Sequence, residues 1–420
     1  MDSHTSVNGA ARYCADGGRG LIEVFLAWCR PGRCLPVWEH LAGRLVIPTH
    51  LARVAIALLP GLWRLRPGDE LLVPAYNCGS ELDPLLRAGL RLNFYRVDAR
   101  ARMDLSDVQG RVTNRTRMVY VTHYFGWPQD VSELAVWCRQ RGIVLVEDCA
   151  MALFSTGAAG AVGRQGDAAI FSLRKSLPVP DGGLLTLRVA PAGLQGLKLG
   201  DPGWSASRAL LPLFKRRVLR DLDRIGLYPF LRTHLRRGHS PPPEDSEDGV
   251  ARPDIPASYY FDDTLAGLGM SRITSGLIQG VSPHVVRAGR RANYLRLCEA
   301  LDGVPGLQLL YPGLPVGVCP LCMPVLISHG RSRLARALTR CGITAFPLWE
   351  GYHRALDWQD FPEACVLKDH VLTLPVDHQL DSTHMAYIAA TVRRFVRHRN
   401  RHQSSTPLGR ARRTVSVGRS

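Results

Sequence analysis

Apolar and polar positions along this chain fall into short apolar runs that alternate with helix-period stretches. Leu71–Tyr76 (LLVPAY), Leu92–Val97 (LNFYRV), Met118–Gly126 (MVYVTHYFG), Ile143–Asp148 (IVLVED), Ala168–Leu173 (AAIFSL) and Gly182–Leu187 (GGLLTL) read as buried strands. Between them, Arg53–Trp63 reads as a helix, and Asp130 as the N-cap of a helix that Gly142 closes. Aliphatic strands alternating with helices predict a mainly parallel α/β sheet, whose strand carboxyl ends are where a ligand binds. After Ala266 the pattern changes to helix-like segments such as VVRAGRRANYLRLCEAL. A smaller α+β unit follows, with CMPVLI and TAFPLW as strands and STHMAYIAATVRRFVR as a last helix.

The expected organisation is an N-terminal arm over 1–45 and a large α/β domain over 46–270 that carries an insert at 200–250. A small C-terminal domain over 271–400 and a basic tail over 401–420 complete it. No apolar run reaches the roughly 18 residues of a membrane span, and no signal peptide is expected at the N-terminus. Eleven cysteines at irregular spacing predict reduced, mostly buried thiols in a cytoplasmic protein. Cys319 and Cys322 form one CxxC with no second pair, so no metal site is expected.

A net charge of +17 raises the question of nucleic acid, and its distribution answers it. Trp204–His239 holds eight Arg and Lys215 against Asp221 and Asp223, and the chain from Arg393 onward holds nine Arg and no acid. These two segments account for nearly all of the excess. The body is near neutral, and a nucleic-acid partner is not expected. The insert, LLPLFKRRVLRDLDRIGLYPFLRTHLRR, has the form of a basic amphipathic helix. Such a helix packs on a protein surface with one face in water, or lies peripherally on an anionic membrane.

Three features meet at the predicted strand ends: Asp148 closing IVLVED, Ser172 and Lys175 of GDAAIFSLRK just beyond a strand, and the PVPDGG turn. A lysine, a carboxylate and hydroxyl or N–H donors are what pyridoxal phosphate (PLP) chemistry requires. The lysine forms a Schiff base and moves a proton, the carboxylate holds a pyridinium, and the donors hold a phosphate.

Read in order, RPGDELLVPAY, VTHYFGWPQDVSEL, IVLVEDCA, GAVGRQGDAAIFSLRK, GRRANYLRLCEAL and VLTLPVDHQLDSTHMAYIAATVRRF resemble successive motifs of the DegT/DnrJ/StrS-type aminotransferases. The resemblance runs over roughly residues 45–400, the insert apart. It implies PLP fold type I, with a large, mainly parallel α/β domain and a smaller C-terminal α+β domain. It also implies a homodimer that transfers an amino group from an amino acid donor to a keto-sugar, nucleotide-linked, or to a cyclitol. Lys175 falls in the Schiff-base position, Asp148 in the pyridinium-binding position and Ser172 in the phosphate-binding position. Arg53 stands where the family has a phosphate-loop hydroxyl. The sequence departs from the family at Cys78, in the place of an aromatic that stacks on the cofactor, and at Met151, in the place of a Gln that contacts its ring oxygen. The Ser-to-Lys spacing is two residues short. His123 falls on a family His, and His353 lies in a substrate-facing region. These departures leave two other readings open: a PLP-dependent dehydratase, and a degenerate non-catalytic scaffold whose basic insert interacts with a membrane or nucleic acid.

Overall fold

The computed structural model describes residues 35–36, 38–203 and 253–404, and side chains to 396. The basic insert, the tail beyond 404, and with them the expected membrane contact lie outside the described residues, as does most of the N-terminal arm.

Seven strands form the main sheet: β1 (Leu45–Thr49), β2 (Glu70–Pro74), β3 (Arg91–Tyr95), β4 (Thr116–Thr122), β5 (Val144–Asp148), β8 (Ala168–Ser172) and β9 (Gly183–Leu187). A two-stranded hairpin, β6 (Thr156–Gly157) with β7 (Gly160–Ala161), stands outside it. The order is β1-β9-β8-β5-β4-β2-β3. Only β9 runs antiparallel to its neighbours; every other pairing is parallel. Strands β2, β8 and β9 are buried along their whole length, which is why they read as unbroken apolar runs rather than alternating ones.

Helices α1 (Ala52–Leu62), α2 (Asp83–Arg87), α3 (Leu105–Arg111) and α4 (Ser132–Gln140) accompany this sheet, and the single turn α5 (Leu173–Ser176) links β8 to the turn before β9. Asp130 is not the N-cap of α4. That place is held by Val131, and the Asp130 carboxylate accepts from Ser132 N, one position early. β1 escapes the hydrophobic pattern because Pro48 interrupts it and its first residue is exposed.

A four-stranded antiparallel sheet follows, in the order β10 (Leu307–Leu309), β11 (Cys322–Ile327), β13 (Val371–Pro375), β12 (Phe346–Pro347). Its helices are α6 (Arg272–Ile278), α7 (Pro283–Leu301), α8 (Arg331–Arg340), α9 (Pro362–His370) and α10 (Ser382–Ser404). Ser282 caps α7 by accepting from Val285 N, with Pro283 at the first helical position. Met385, Ile388 and Val392 of α10 pack with Tyr294, Leu297 and Leu301 of α7 in one buried cluster. The two units meet where Phe125 and Gly126 touch the 319–321 segment. Leu321 N donates to Phe125 O, and a Cβ on Gly126 would lie 2.3 Å from Cys319 O.

Candidate active site

Asp148 is the last residue of β5 and is buried. The Tyr120 hydroxyl donates to its Oδ2 at 2.8 Å, and Ala150 N donates to Oδ1 at 2.8 Å. Two donors thus fix the carboxylate's orientation while compensating its burial. Ser172 ends the neighbouring strand β8, and Lys175 follows within α5. That helix is one turn long because Leu173 is fully buried and its N–H is taken by Gly182 O, so the chain turns back at once. The short Ser-to-Lys spacing is this single turn. Among the described residues, the half-buried Lys175 makes no hydrogen bond through its amine.

The start of α1 lies beside them. Gly182 N donates to His50 O at 2.7 Å, and a Cβ on Gly183 would lie 2.4 Å from the Leu51 carbonyl carbon. Only glycine lets β9 come this close to the α1 start. No side chain caps α1 and its first turn holds no acid, so its opening N–H groups and helix dipole are available to an anion. Arg53 sits on this turn, but its Nη1 donates to the carbonyls of Ser258, Tyr259 and Tyr260 at 2.9, 3.0 and 3.3 Å. His50 Nδ1 and Asp181 Oδ2 lie 3.9 Å apart, both buried and without a hydrogen-bond partner among the described residues. Burial lowers the imidazole pKa and raises that of the carboxyl.

The loop after β2 supplies what the sequence left out. Cys78 is half-buried, its N–H donating to Glu81 Oε1 at 2.9 Å and its sulfur 3.1 Å from Ser80 Oγ. Burial and the Glu81 charge push the thiol up to about 11, with Lys175 pulling the other way. Glu81 itself is buried, and its Oε2 lacks a partner among the described residues. Burial and then the Asp148 charge raise its pKa, and Lys175 opposes them. Glu81 therefore lies within electrostatic reach of both Asp148 and Lys175. Nothing in the local pattern marks it, because a glutamate in a polar turn reads as solvated. Met151 packs in the main apolar cluster.

Two further residues take structural places. His123 Nδ1 accepts from Gln129 N at 2.9 Å, which leaves Nε2–H to donate to Glu147 Oε2 at 3.0 Å. Glu147 also accepts from the N–H groups of Gly163, Gln165 and Gly166. Cys149 completes a trio whose ligand-type atoms lie within 4.8 Å of one another, but the imidazole and carboxylate are already committed to protein donors. His353 Nε2 faces Asp83 Oδ1 at 3.3 Å. Cys319 and Cys322 are buried and not joined in a disulfide.

Residues 41–189, which hold Arg53, Cys78, Asp148, Met151, Ser172 and Lys175, match the DegT/DnrJ/EryC1/StrS aminotransferase family. The dTDP-4-dehydro-2,3,6-trideoxy-D-glucose 4-aminotransferase of Saccharopolyspora spinosa is 35% identical over 123 residues, 29% of this chain and 32% of that protein. The L-glutamine:scyllo-inosose aminotransferase of Streptomyces griseus is 29% identical over 198 residues, 45% of this chain and 44% of that protein. The chain thus spans about a third to under half the length of these relatives. In fold, it superposes on the aminotransferase TlmJ from Streptoalloteichus hindustanus with a TM-score of 0.61 at 21% identity, covering 91% of this chain and 92% of the other. The sugar aminotransferase CalS13 from Micromonospora echinospora gives 0.59 at 19% identity, covering 91% and 99%. The fold is the α/β architecture of these aminotransferases, as the sequence predicts.

Proposed function

We propose that this chain is a PLP-dependent aminotransferase that moves an amino group from an amino acid to a keto-sugar, nucleotide-linked, or to a cyclitol. The observation that carries the reading is the convergence of Lys175, Asp148 and Ser172 on adjacent strand ends beside an uncapped helix start. The names of the relatives, sugar and cyclitol aminotransferases, support the substrate class.

The donor set fits PLP. Lys175 is the amine that would hold it and carry a proton to and from the substrate carbon. Asp148, held by Tyr120 and Ala150 N, would keep a ring nitrogen protonated. Ser172 and the first turn of α1 would take the phosphate. Arg53 adds positive charge on that turn, while its bonds to 258–260 tie it to the neighbouring segment. Cys78 and Met151 offer a thiol and a thioether where the resemblance leads one to expect a stacking ring and an amide. When bound, PLP supplies a ring that draws off the electron pair left on the reacting carbon. A homodimer belongs to the same reading and rests on the resemblance alone, and a cytoplasmic location rests on the cysteine pattern.

The test is an absorbance spectrum with added PLP, then borohydride reduction and peptide mapping, followed by amino-donor and keto-sugar turnover. A yellow chromophore trapped on Lys175 is expected, with activity falling about a hundredfold or more in Lys175→Ala. Trapping on another lysine, or full activity in the variant, overturns the proposal. A deoxy product without incorporated amine would point to a dehydratase.

A further inference from the structure

Lys368, in α9, is fully buried. A protonated lysine has three N–H donors, and each here meets a backbone carbonyl: Asn77 O at 2.7 Å, Gly351 O at 2.8 Å and Trp349 O at 3.1 Å. The ring centroids of Tyr352 and Trp358 lie 5.0 and 5.1 Å from its nitrogen. Asn77 immediately precedes Cys78 in the loop that carries Glu81, whereas Trp349 and Gly351 belong to the C-terminal unit. One ammonium therefore joins the candidate site's loop to the second sheet's surroundings. Trp358 reinforces the junction by donating its indole N–H to Ala75 O at 2.7 Å. From the far side, Asp83 accepts from Phe261 N and faces His353.

We propose, resting on the functional reading above, that Lys368 is a positioning residue of the active site: by binding Asn77 O and the 349–351 carbonyls together, it sets where Cys78 and Glu81 stand against Lys175. The site's geometry then depends on the C-terminal unit being docked. The number of donors matters to the device, because a side chain with fewer than three leaves a carbonyl of the junction buried and unpaired. Burial lowers the pKa of Lys368 to about 8, against the pull of Cys78, Glu81, Cys365 and Asp369, with the Tyr352 hydroxyl bonded to Asp369 on the same helix.

The test compares wild type with Lys368→Met, and with Lys368→Gln, which keeps two donors. Iodoacetamide labelling of Cys78 is followed by mass spectrometry on protein without added PLP, with Cys341 as internal reference. In folded variants, Cys78 labelling is expected to rise about tenfold while Cys341 is unchanged. With PLP added, the absorbance and circular dichroism of the chromophore should shift. Hydrogen exchange in wild type needs no variant: segments 77–82 and 349–353, which share the Lys368 ammonium, should open together as one unit. Unchanged Cys78 labelling in a folded variant, or independent exchange of the two segments, overturns the proposal. Because labelling and exchange are read without the cofactor, they stand apart from trapping at Lys175: loss of trapping in wild type with the labelling result intact would refute the functional reading alone.

Discussion

Glu147 and Asp148 are consecutive residues of one strand, so their side chains leave the sheet on opposite faces, and the two carboxylates do different work. Asp148, with its Tyr120 partner, faces the candidate site. Glu147 gathers three backbone N–H groups of the 163–166 loop and the His123 ring, the carboxylate and the imidazole both nearly dry. Burial works against its charge, yet the bonds from His123, Gly166 and Gly163 hold its pKa below the ordinary glutamate value. A carboxyl lowered on folding stabilises the native state above its unfolded pKa, and that contribution is lost as pH falls through the folded value. Glu147→Gln turns one acceptor oxygen into a donor that meets N–H groups, so it should cost about 1–3 kcal/mol near neutral pH. The gap to wild type should narrow in thermal melts carried down below the ordinary glutamate pKa. A constant gap would show that the charge contributes nothing. At this scale the sequence was only partly legible. Asp148, Ser172 and Lys175 stand at strand ends, where local pattern and family resemblance coincide. Glu81 and Lys368 were invisible, since what distinguishes them is partners 67 and 291 residues away: Asp148 for Glu81, and Asn77 for Lys368.

Elements were more legible than contacts, for a physical reason. Burial on both faces writes β2, β8 and β9 as apolar runs, and β12 falls within the strand read at TAFPLW, whereas β1 is interrupted by Pro48 and opens on an exposed residue. The PVPDGG turn shows in sequence, but not what its glycines are for. Gly182 takes φ +116°, and Gly183 lies hard against the Leu51–Ala52 peptide. Gly183→Ala would push a methyl into backbone rather than into a yielding side chain, forcing β9 and the start of α1 apart. The expected cost is about 1–3 kcal/mol in denaturant melts, with weaker PLP affinity because the helix start moves relative to Ser172. Unchanged affinity in a folded variant would argue that the α1 start does not hold the phosphate.

Across the whole molecule, the two sheets are joined by charged side chains used as bolts. Lys368 is one, and Arg290 is another. From α7, its Nη2 donates to both Ser176 O and Asp377 Oδ2 at 3.0 Å, with both charged groups buried. Ser176 follows Lys175 directly, so this ion pair reaches the proposed amine through one peptide. Stability and site alignment should therefore separate. Arg290→Met strands a buried carboxylate and should cost about 3–5 kcal/mol. Adding Asp377→Asn removes the stranded charge and keeps an acceptor for Gln379 N, which now bonds Asp377 Oδ1, so most of that loss should return. Neither variant restores the donor to Ser176 O. PLP affinity and the yield of borohydride trapping on Lys175 should thus stay equally low in the single and the double variant, while the melting temperature recovers only in the double. If trapping recovered along with stability, the ion pair would be holding the fold together without holding Lys175 in place.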